Sequence, residues 1–408
     1  MKITIFGLTL SSSWANGHAT PYRALLRGLH RLGHSCVFYE KDVEYYSFRR
    51  DFTTCDYARL VLYSDWADVR TEALRDARDS DAVIVGSYCP GGAQISDEVL
   101  PLTTPRRVFY DLDTPITLRN LSAGNLDYLR RDQIAAFDLY LSFTGGDILQ
   151  QLEQAWQAKR ARPLYGCVDP DDYVRVPARP EFACALSYMG TYSPDRQAKF
   201  ERLFLAPATQ MSEARFVFAG SLYPRQRWPA NVSHFEHVAP ADHPALYSSA
   251  RATLNITRDG MAHTGYCPSG RFFEAAACGT PILSDWWQGL DSFFQDGTEI
   301  LVVHNTEDVL SALRRSDQQL ASLAQHARER TLEEHTGDHR AQELLAFVEE
   351  ASSAARDLQA KYPQTKDPQT RNPQAARNLA PGVPAASPSR PFQLPTTEIP
   401  EKPLEVSS

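Results

Sequence analysis

The chain has 408 residues, 43% of them hydrophobic and 11% aromatic, which is ordinary globular composition and too long for one typical core. A net charge of -8 argues against a generally basic, nucleic-acid-binding surface while leaving room for a local basic pocket. The seven cysteines (Cys36, Cys55, Cys89, Cys167, Cys184, Cys267 and Cys278) are odd in number, scattered and free of any CxxC pair, so they read as thiols of a reducing, cytoplasmic compartment rather than as disulfides or zinc ligands.

The first residues, Met1-Lys2-Ile3-Thr4-Ile5-Phe6-Gly7-Leu8, lack a strong basic flank and a following cleavage site, so they predict a buried strand at 2–8 rather than a signal peptide. No stretch reaches the ~20 apolar residues that span a bilayer. Thr20-Pro21 is predicted to open a helix, with Thr20 as its cap. Leu25, Leu26, Leu29 and Leu32 follow at helical spacing until Gly33 ends the run. Further strands are predicted at 36–39, 82–86, 107–110, 139–143 and 164–166, with helical patterns between several of them. Such alternation predicts a parallel sheet covered on both faces.

The pattern restarts after the linker-like run Val176-Pro177-Ala178-Arg179-Pro180. Strands are predicted at 185–190, 215–220, 252–256, 281–284 and 299–303, and helices at 195–205, 270–278, 307–315 and 318–333. Two α/β units of similar size, residues 1–176 and 181–334, imply two facing Rossmann-like domains with a central cleft at the carboxyl ends of their strands. A terminal helix at 335–354 is expected to pack on the lobes. The remainder, 355–408, is expected to be a disordered Pro-rich tail, since ten of the 27 prolines fall in the last 50 residues.

The most informative stretch runs from Leu254-Asn255-Ile256-Thr257-Arg258 to Ser269-Gly270-Arg271-Phe272-Phe273-Glu274-Ala275-Ala276-Ala277-Cys278-Gly279-Thr280-Pro281. It reads as strand, loop, short helix, strand, with Ser269 as N-cap and Gly279 as the stop. Arg271 and Glu274 are three apart and share a helical face. A carboxylate near a helix N-terminus can accept both hydroxyls of a ribose, and the free N–H groups at Ser269 and Gly270, with Arg271 beside them, suit a diphosphate. Arg258 and Arg196 follow predicted strands of the second unit and are further candidates for phosphate contact. Taken alone, RxxE is also an ordinary surface ion pair.

This block, followed by Leu283-Ser284-Asp285-Trp286-Trp287-Gln288-Gly289-Leu290 and Phe293-Phe294, resembles the C-terminal domain of CgeB-type glycosyltransferases, the spore-maturation-like proteins also labelled glycosyl transferases group 1. Trp14-Ala15-Asn16-Gly17-His18-Ala19-Thr20, Tyr110-Asp111-Leu112-Asp113-Thr114-Pro115 and Ser142-Phe143-Thr144-Gly145-Gly146 extend the resemblance over most of residues 1–350, but not the tail. The resemblance implies an α/β GT-B fold and sugar transfer from a UDP- or GDP-sugar that is a substrate, with no separate cofactor. It gives Glu274 the role of gripping the donor ribose. Broader retaining relatives carry a second glutamate eight positions earlier. Tyr266 stands there in this chain, which leaves the donor-sugar contacts and the stereochemistry unassigned.

The loop Leu10-Ser11-Ser12-Ser13-Trp14-Ala15-Asn16-Gly17-His18 is small and polar enough for a ligand to approach its backbone, with Asn16 and Gly17 as candidate contacts. It is not GxGxxG, so NAD is not expected. In inverting GT-B enzymes a histidine in a similar loop deprotonates the acceptor hydroxyl and an aspartate orients it. These roles would fall to His18 with Asp111 or Asp113. Asp111-Leu112-Asp113 is formally DxD, yet in this architecture basic side chains and helix N-termini are expected to hold the leaving diphosphate, with no metal. Gly145-Gly146 reads equally as a close-approach turn or a helix start, and Trp286-Trp287 as a stacking platform or buried aromatics. The expected acceptor is a glycan, protein or small molecule. The alternatives are a GT-B-like sugar-nucleotide epimerase and a non-catalytic sugar-nucleotide-binding scaffold of a surface assembly.

Overall fold

All the strands pair in parallel, in two separate sheets. The computed structural model describes residues 1–361 apart from Ala15, Arg225 and Gln226, with side chains up to Ser353. Most of the predicted tail at 355–408 lies outside the described residues. The first sheet is built from β1 (Lys2–Gly7), β2 (Ser35–Lys41), β3 (Arg59–Tyr63), β4 (Ala82–Gly86), β5 (Arg106–Asp111), β6 (Leu139–Ser142) and β7 (Ala161–Pro163), in the order β3-β2-β1-β4-β5-β6-β7. The second contains β8 (Leu186–Met189), β9 (Phe216–Ala219), β10 (Val232–Phe235), β11 (Thr253–Asn255), β12 (Ile282–Ser284) and β13 (Leu301–Val302), in the order β10-β9-β8-β11-β12-β13. Helices cover both faces, which is why central strands such as β4 are apolar runs buried along their whole length.

Strand order reverses between β1 and β4 in one sheet and between β8 and β11 in the other. Chain leaving neighbouring strands at such a point diverges to opposite faces and opens a crevice at the carboxyl edge. His18 follows β1, Arg196 follows β8 and Arg258 follows β11, so the topology alone delivers all three to crevices.

Two strands were not anticipated, β3 and β10. Each is an outer strand of its sheet and only partly buried; β10 mixes polar and apolar residues, whereas β3 carries the apolar run Leu60-Val61-Leu62-Tyr63, a strand signal present in the sequence. The strand expected at 164–166 lies earlier, as β7. Leu164 still donates its N–H to Ser142 O at 2.8 Å before the chain leaves the sheet. The helix expected at 195–205 continues to Gln210 through a wide π-turn at Glu201–Leu205. That turn accommodates Pro207, which has no N–H to give Leu203 and would crowd its carbonyl.

Val168 and Thr336 pair where the chain crosses between lobes, with Val168 N–H on His335 O at 3.1 Å and Gly337 N–H on Val168 O at 2.9 Å. The last helix, Gly337–Lys361, then returns to the first lobe. Its Ala341, Leu344, Val348 and Ala351 join Ile3, Leu25, Leu26 and Leu29 in one buried cluster. The helices cross at Gly28 and Gly337 with no room for side chains: a Cβ on Gly28 would stand 2.3 Å from Gly337 O. The terminal helix is therefore core of the first lobe rather than a cover laid over both.

Candidate active site

The carboxyl edges of the two sheets face each other across a cavity of about 330 Å³. Ser13, Asn16, Gly17, His18 and Asp113 line it from the first lobe. Gly190, Arg196, Gly220, Arg258, Ser269, Gly270, Arg271 and Glu274 line it from the second. All the site residues expected from the sequence are thus brought together except Asp111.

Glu274 lies in the second turn of the helix Gly270–Ala277 and is only 6% exposed. Its Oε2 accepts the Tyr247 hydroxyl at 3.1 Å, while Oε1 accepts from no described residue. Burial raises its carboxyl to about 7, against the lowering pull of the Tyr247 hydroxyl and Arg271. His243 lies 3.8 Å from the same Oε2, but burial pushes its imidazole down to about 4, so at neutral pH the two form no ion pair. A carbonyl only accepts, so His243 Nε2 donates to Val238 O at 3.1 Å and Nδ1 takes the Tyr173 hydroxyl at 3.2 Å.

Ser269 occupies the N-cap position, but its hydroxyl accepts from Arg271 Nε at 3.0 Å instead of capping a helical N–H. The other Arg271 nitrogens donate to Met189 O and, at 3.3 Å, to Ile256 O, which tie the guanidinium to the ends of β8 and β11. Arg196 donates through Nη2 to Thr191 O, whereas its Nε is buried without a partner. Burial, with Arg271 and Arg258 nearby, pushes the Arg196 guanidinium below its ordinary value. Arg258 makes one contact with Asp195, at 3.4 Å. Three cations thus share one wall with a helix N-terminus, against the Asp195 carboxylate and the buried Glu274, an arrangement that favours a bound anion.

On the opposite wall, His18 stands at the N-cap of the helix Ala19–Arg31. Thr20 lies inside the first turn and is not the cap. Asn16 does that work: its Oδ1 accepts the N–H groups of His18 at 3.0 Å and Ala19 at 3.2 Å. Asn16 Nδ2 donates to Ser12 O and Trp14 O, so every polar atom of this side chain is spent on holding the loop. His18 Nε2 donates to Asp113 Oδ2 at 2.8 Å, and Nδ1 has no partner. Beneath the loop, the buried Glu40 accepts from Thr9 Oγ1 (2.9 Å), Ser11 Oγ (2.6 Å), Leu10 N–H (2.7 Å) and Ser11 N–H (2.9 Å).

Asp111 is fully buried and does not reach the cavity. It accepts from Tyr140 Oη (2.6 Å), Thr117 Oγ1 (2.8 Å) and the Asp113 N–H (3.1 Å), and burial raises its carboxyl to about 6. It is a prop for the Asp113 loop. Among the described residues no three His, Cys, Asp or Glu side chains gather as metal ligands.

Several residues of the site were not anticipated: the cavity wall Glu236, His237 and Val238, with His243 beside Glu274, and, behind the lining, Tyr247 bonded to Glu274 and the Glu40 anchor. The first three follow β10, and without that strand nothing marks them as facing a cleft. Trp14 and His237 meet across the lobes, ring centroids 4.7 Å apart. Trp287 is buried, Trp286 is exposed, and neither lines the cavity.

Residues 196–346 match the family described as "Glycosyl transferase-like". No curated protein matches the chain in sequence. Among solved structures, a sucrose-phosphate synthase from Thermosynechococcus elongatus superposes with a TM-score of 0.60 at 13% identity, covering 88% of this chain and 99% of the other. HepE from Anabaena, solved with UDP and glucose, gives 0.57 at 11% identity over 86% of this chain and 100% of the other. An alpha-glucosyltransferase, solved with UDP-glucose and DNA containing an abasic site, gives 0.65 at 13% identity over 85% and 99%. The chain therefore has the GT-B fold, and residues 196–346, most of them in the second lobe, are similar to the glycosyl transferase-like family.

Proposed function

We propose that this protein is a glycosyltransferase that moves a sugar from a UDP- or GDP-sugar to an acceptor hydroxyl in the reducing cytoplasm, without a metal ion. The observation that carries this reading is the meeting, across one cavity, of Glu274 and three arginines with the His18–Asp113 pair. In this reading Glu274 holds the ribose hydroxyls. Arg271, Arg258, Arg196 and the helix N-terminus at Ser269 and Gly270 stabilise the departing diphosphate. Asp113 fixes the His18 tautomer with the proton on Nε2, and Nδ1, buried and unpartnered in the empty protein, takes the acceptor proton once the docked acceptor reaches it, as the hydroxyl oxygen bonds to the anomeric carbon and the diphosphate leaves. The seven free cysteines fit a reducing compartment. The finer kinship with CgeB-type enzymes rests on the Ser269 to Pro281 block.

The test is calorimetric titration of wild type and Glu274→Ala with UDP and GDP, followed by turnover of the corresponding sugar nucleotide. UDP-glucose comes first, because structural neighbours were solved with it or with UDP and glucose. Binding to wild type that Glu274→Ala abolishes supports the reading, and equal binding by both overturns it. One observation favours a second reading, sugar-nucleotide binding without transfer: Tyr266, at the position of the glutamate in broader relatives, does not line the cavity. Tight nucleotide binding with neither donor hydrolysis nor transfer would select it. An isomerised donor would point to an epimerase.

A further inference from the structure

Tyr266 belongs to the second lobe but is gripped by the first. Its carbonyl accepts the Gly145 N–H at 2.9 Å, and its own N–H donates to Gln288 O at 2.7 Å. Its ring is wedged between Gly146 of the first lobe and Gly289 of the second, where a Cβ on either glycine would lie 2.4 Å from a ring carbon. The next residue repeats the link, with Thr144 Oγ1 on Cys267 Sγ at 3.3 Å. Tyr266 has a φ of +46°, a left-handed conformation that a bulky side chain adopts only when its surroundings enforce it.

Both ends of this contact lead to the cavity. On one side, Ser142 Oγ donates to Thr144 O at 2.6 Å and bonds Thr114 Oγ1 at 2.8 Å, one residue beyond Asp113. On the other, Cys267 and Pro268 lead straight into Ser269, Gly270 and Arg271. The linkage thus runs from the partner of His18 to the diphosphate wall.

We propose that Tyr266 is a positioning residue, a strut that sets the spacing between the His18–Asp113 pair and the Arg271–Glu274 wall. This rests on the glycosyltransferase reading for its catalytic consequence, although the strut itself is a matter of lobe geometry. A strut acts on the approach of acceptor to donor and leaves nucleotide contacts untouched, because the second lobe alone supplies those.

The experiment compares wild type, Tyr266→Phe and Tyr266→Ala by titration with UDP and GDP and by steady-state turnover of the matching sugar nucleotide. Tyr266→Ala is expected to lower kcat by about ten- to a hundredfold at unchanged nucleotide Kd, because small misplacements of reacting groups carry penalties of that size. Tyr266→Phe, which keeps the ring, is expected to restore turnover. A loss that appears in Kd instead, or no loss at all, overturns the strut. A second measurement stands apart from activity: thermal melting of Gly146→Ala, Tyr266→Ala and the double variant. The added methyl collides with the ring only where the ring is present, whereas the backbone strain at Gly146 is common to both backgrounds and cancels. Gly146→Ala is therefore expected to be less harmful in the Tyr266→Ala background, and strictly additive effects overturn the proposal. If wild type binds neither UDP nor GDP, the functional reading falls, and the melting cycle still decides the strut.

Discussion

His18 and Asp113 meet at 2.8 Å although 95 residues separate them in the chain. One leaves β1 and the other β5, and the two loops are shaped independently. Asn16 caps the helix behind His18 and Glu40 holds the loop before it, while the buried Asp111 takes the Asp113 N–H. Asp113 thus holds the imidazole in one tautomer, with Nδ1 unpartnered and buried in the empty protein. His18→Ala and Asp113→Asn are expected to cut kcat by about 10²–10⁴-fold, the usual range for a lost general base, with nucleotide Kd unchanged. Variants that transfer sugar at the wild-type rate would remove His18 from the mechanism.

Glu274 makes nucleotide binding depend on pH. Its carboxyl is raised from 4.5 to about 7 by burial, and it must be ionised to accept two ribose hydroxyls. Binding therefore releases a proton below about pH 7, and affinity should rise as pH climbs to that value and level off above it. For the empty protein the sign is opposite. A raised carboxyl contributes stability that is whole below about 4.5 and is lost as pH rises through about 7. Asp111, raised from 3.8 to about 6, acts in the same direction. Calorimetry in buffers of different ionisation heat counts the released proton, and the same count in Glu274→Gln would refute this source.

The arginine wall predicts a trade between stability and binding. Arg196, Arg258 and Arg271 repel one another when no anion is present. Arg196→Met should leave the empty protein's melting temperature equal or higher while weakening UDP binding by about ten- to a hundredfold, as expected for loss of one charged hydrogen bond. The UDP affinity of wild type should fall with added salt more steeply than that of the variant. Arg271→Met should also destabilise the lobe, because its guanidinium ties β8 to β11. Equal salt dependence in all three proteins would rule out a diphosphate at this wall.

Glu40 is expected to be a stability residue. Its carboxylate accepts four hydrogen bonds, two from hydroxyls and two from the Leu10 and Ser11 N–H groups, which only donate, so Glu40→Leu leaves those buried N–H groups without an acceptor. A loss of about 2–3 kcal/mol is expected from the donors left unpaired, read as a lowered urea midpoint. An unchanged midpoint would mean that the loop repacks around the leucine and satisfies those N–H groups elsewhere.

The central strands were legible because strands covered on both faces must be apolar throughout, as 82–86 is. The Ser269 to Glu274 block was legible because cap, cation and carboxylate sit within a few residues of each other. Outer strands such as β10 were not, since half-exposed segments mix polar and apolar residues, and with β10 went the wall at Glu236 to Val238. The choice between Asp111 and Asp113 was also beyond local pattern. Asp111 is the last residue of β5 and Asp113 lies two residues past it, and only where the strand ends decides which is held inward by Tyr140 and which reaches His18. Tyr266 was visible only as a departure from its relatives, and its two glycine neighbours lie far away in sequence.

The helix that ends the described chain completes the core that the first residues begin, with Leu344 and Val348 packed against Ile3 and Leu25. During synthesis, the amino-terminal lobe therefore emerges from the ribosome with one side of its sheet covered in part by the helix Ala19–Arg31 and otherwise open. It stays so until the roughly 170 residues between Pro163 and Gly337 have been made. The carboxyl-terminal lobe, uninterrupted in sequence, has every chance to fold first. Nascent chains stopped short of Gly337 should be clients of chaperones, and full-length protein should acquire its amino-terminal structure only after release.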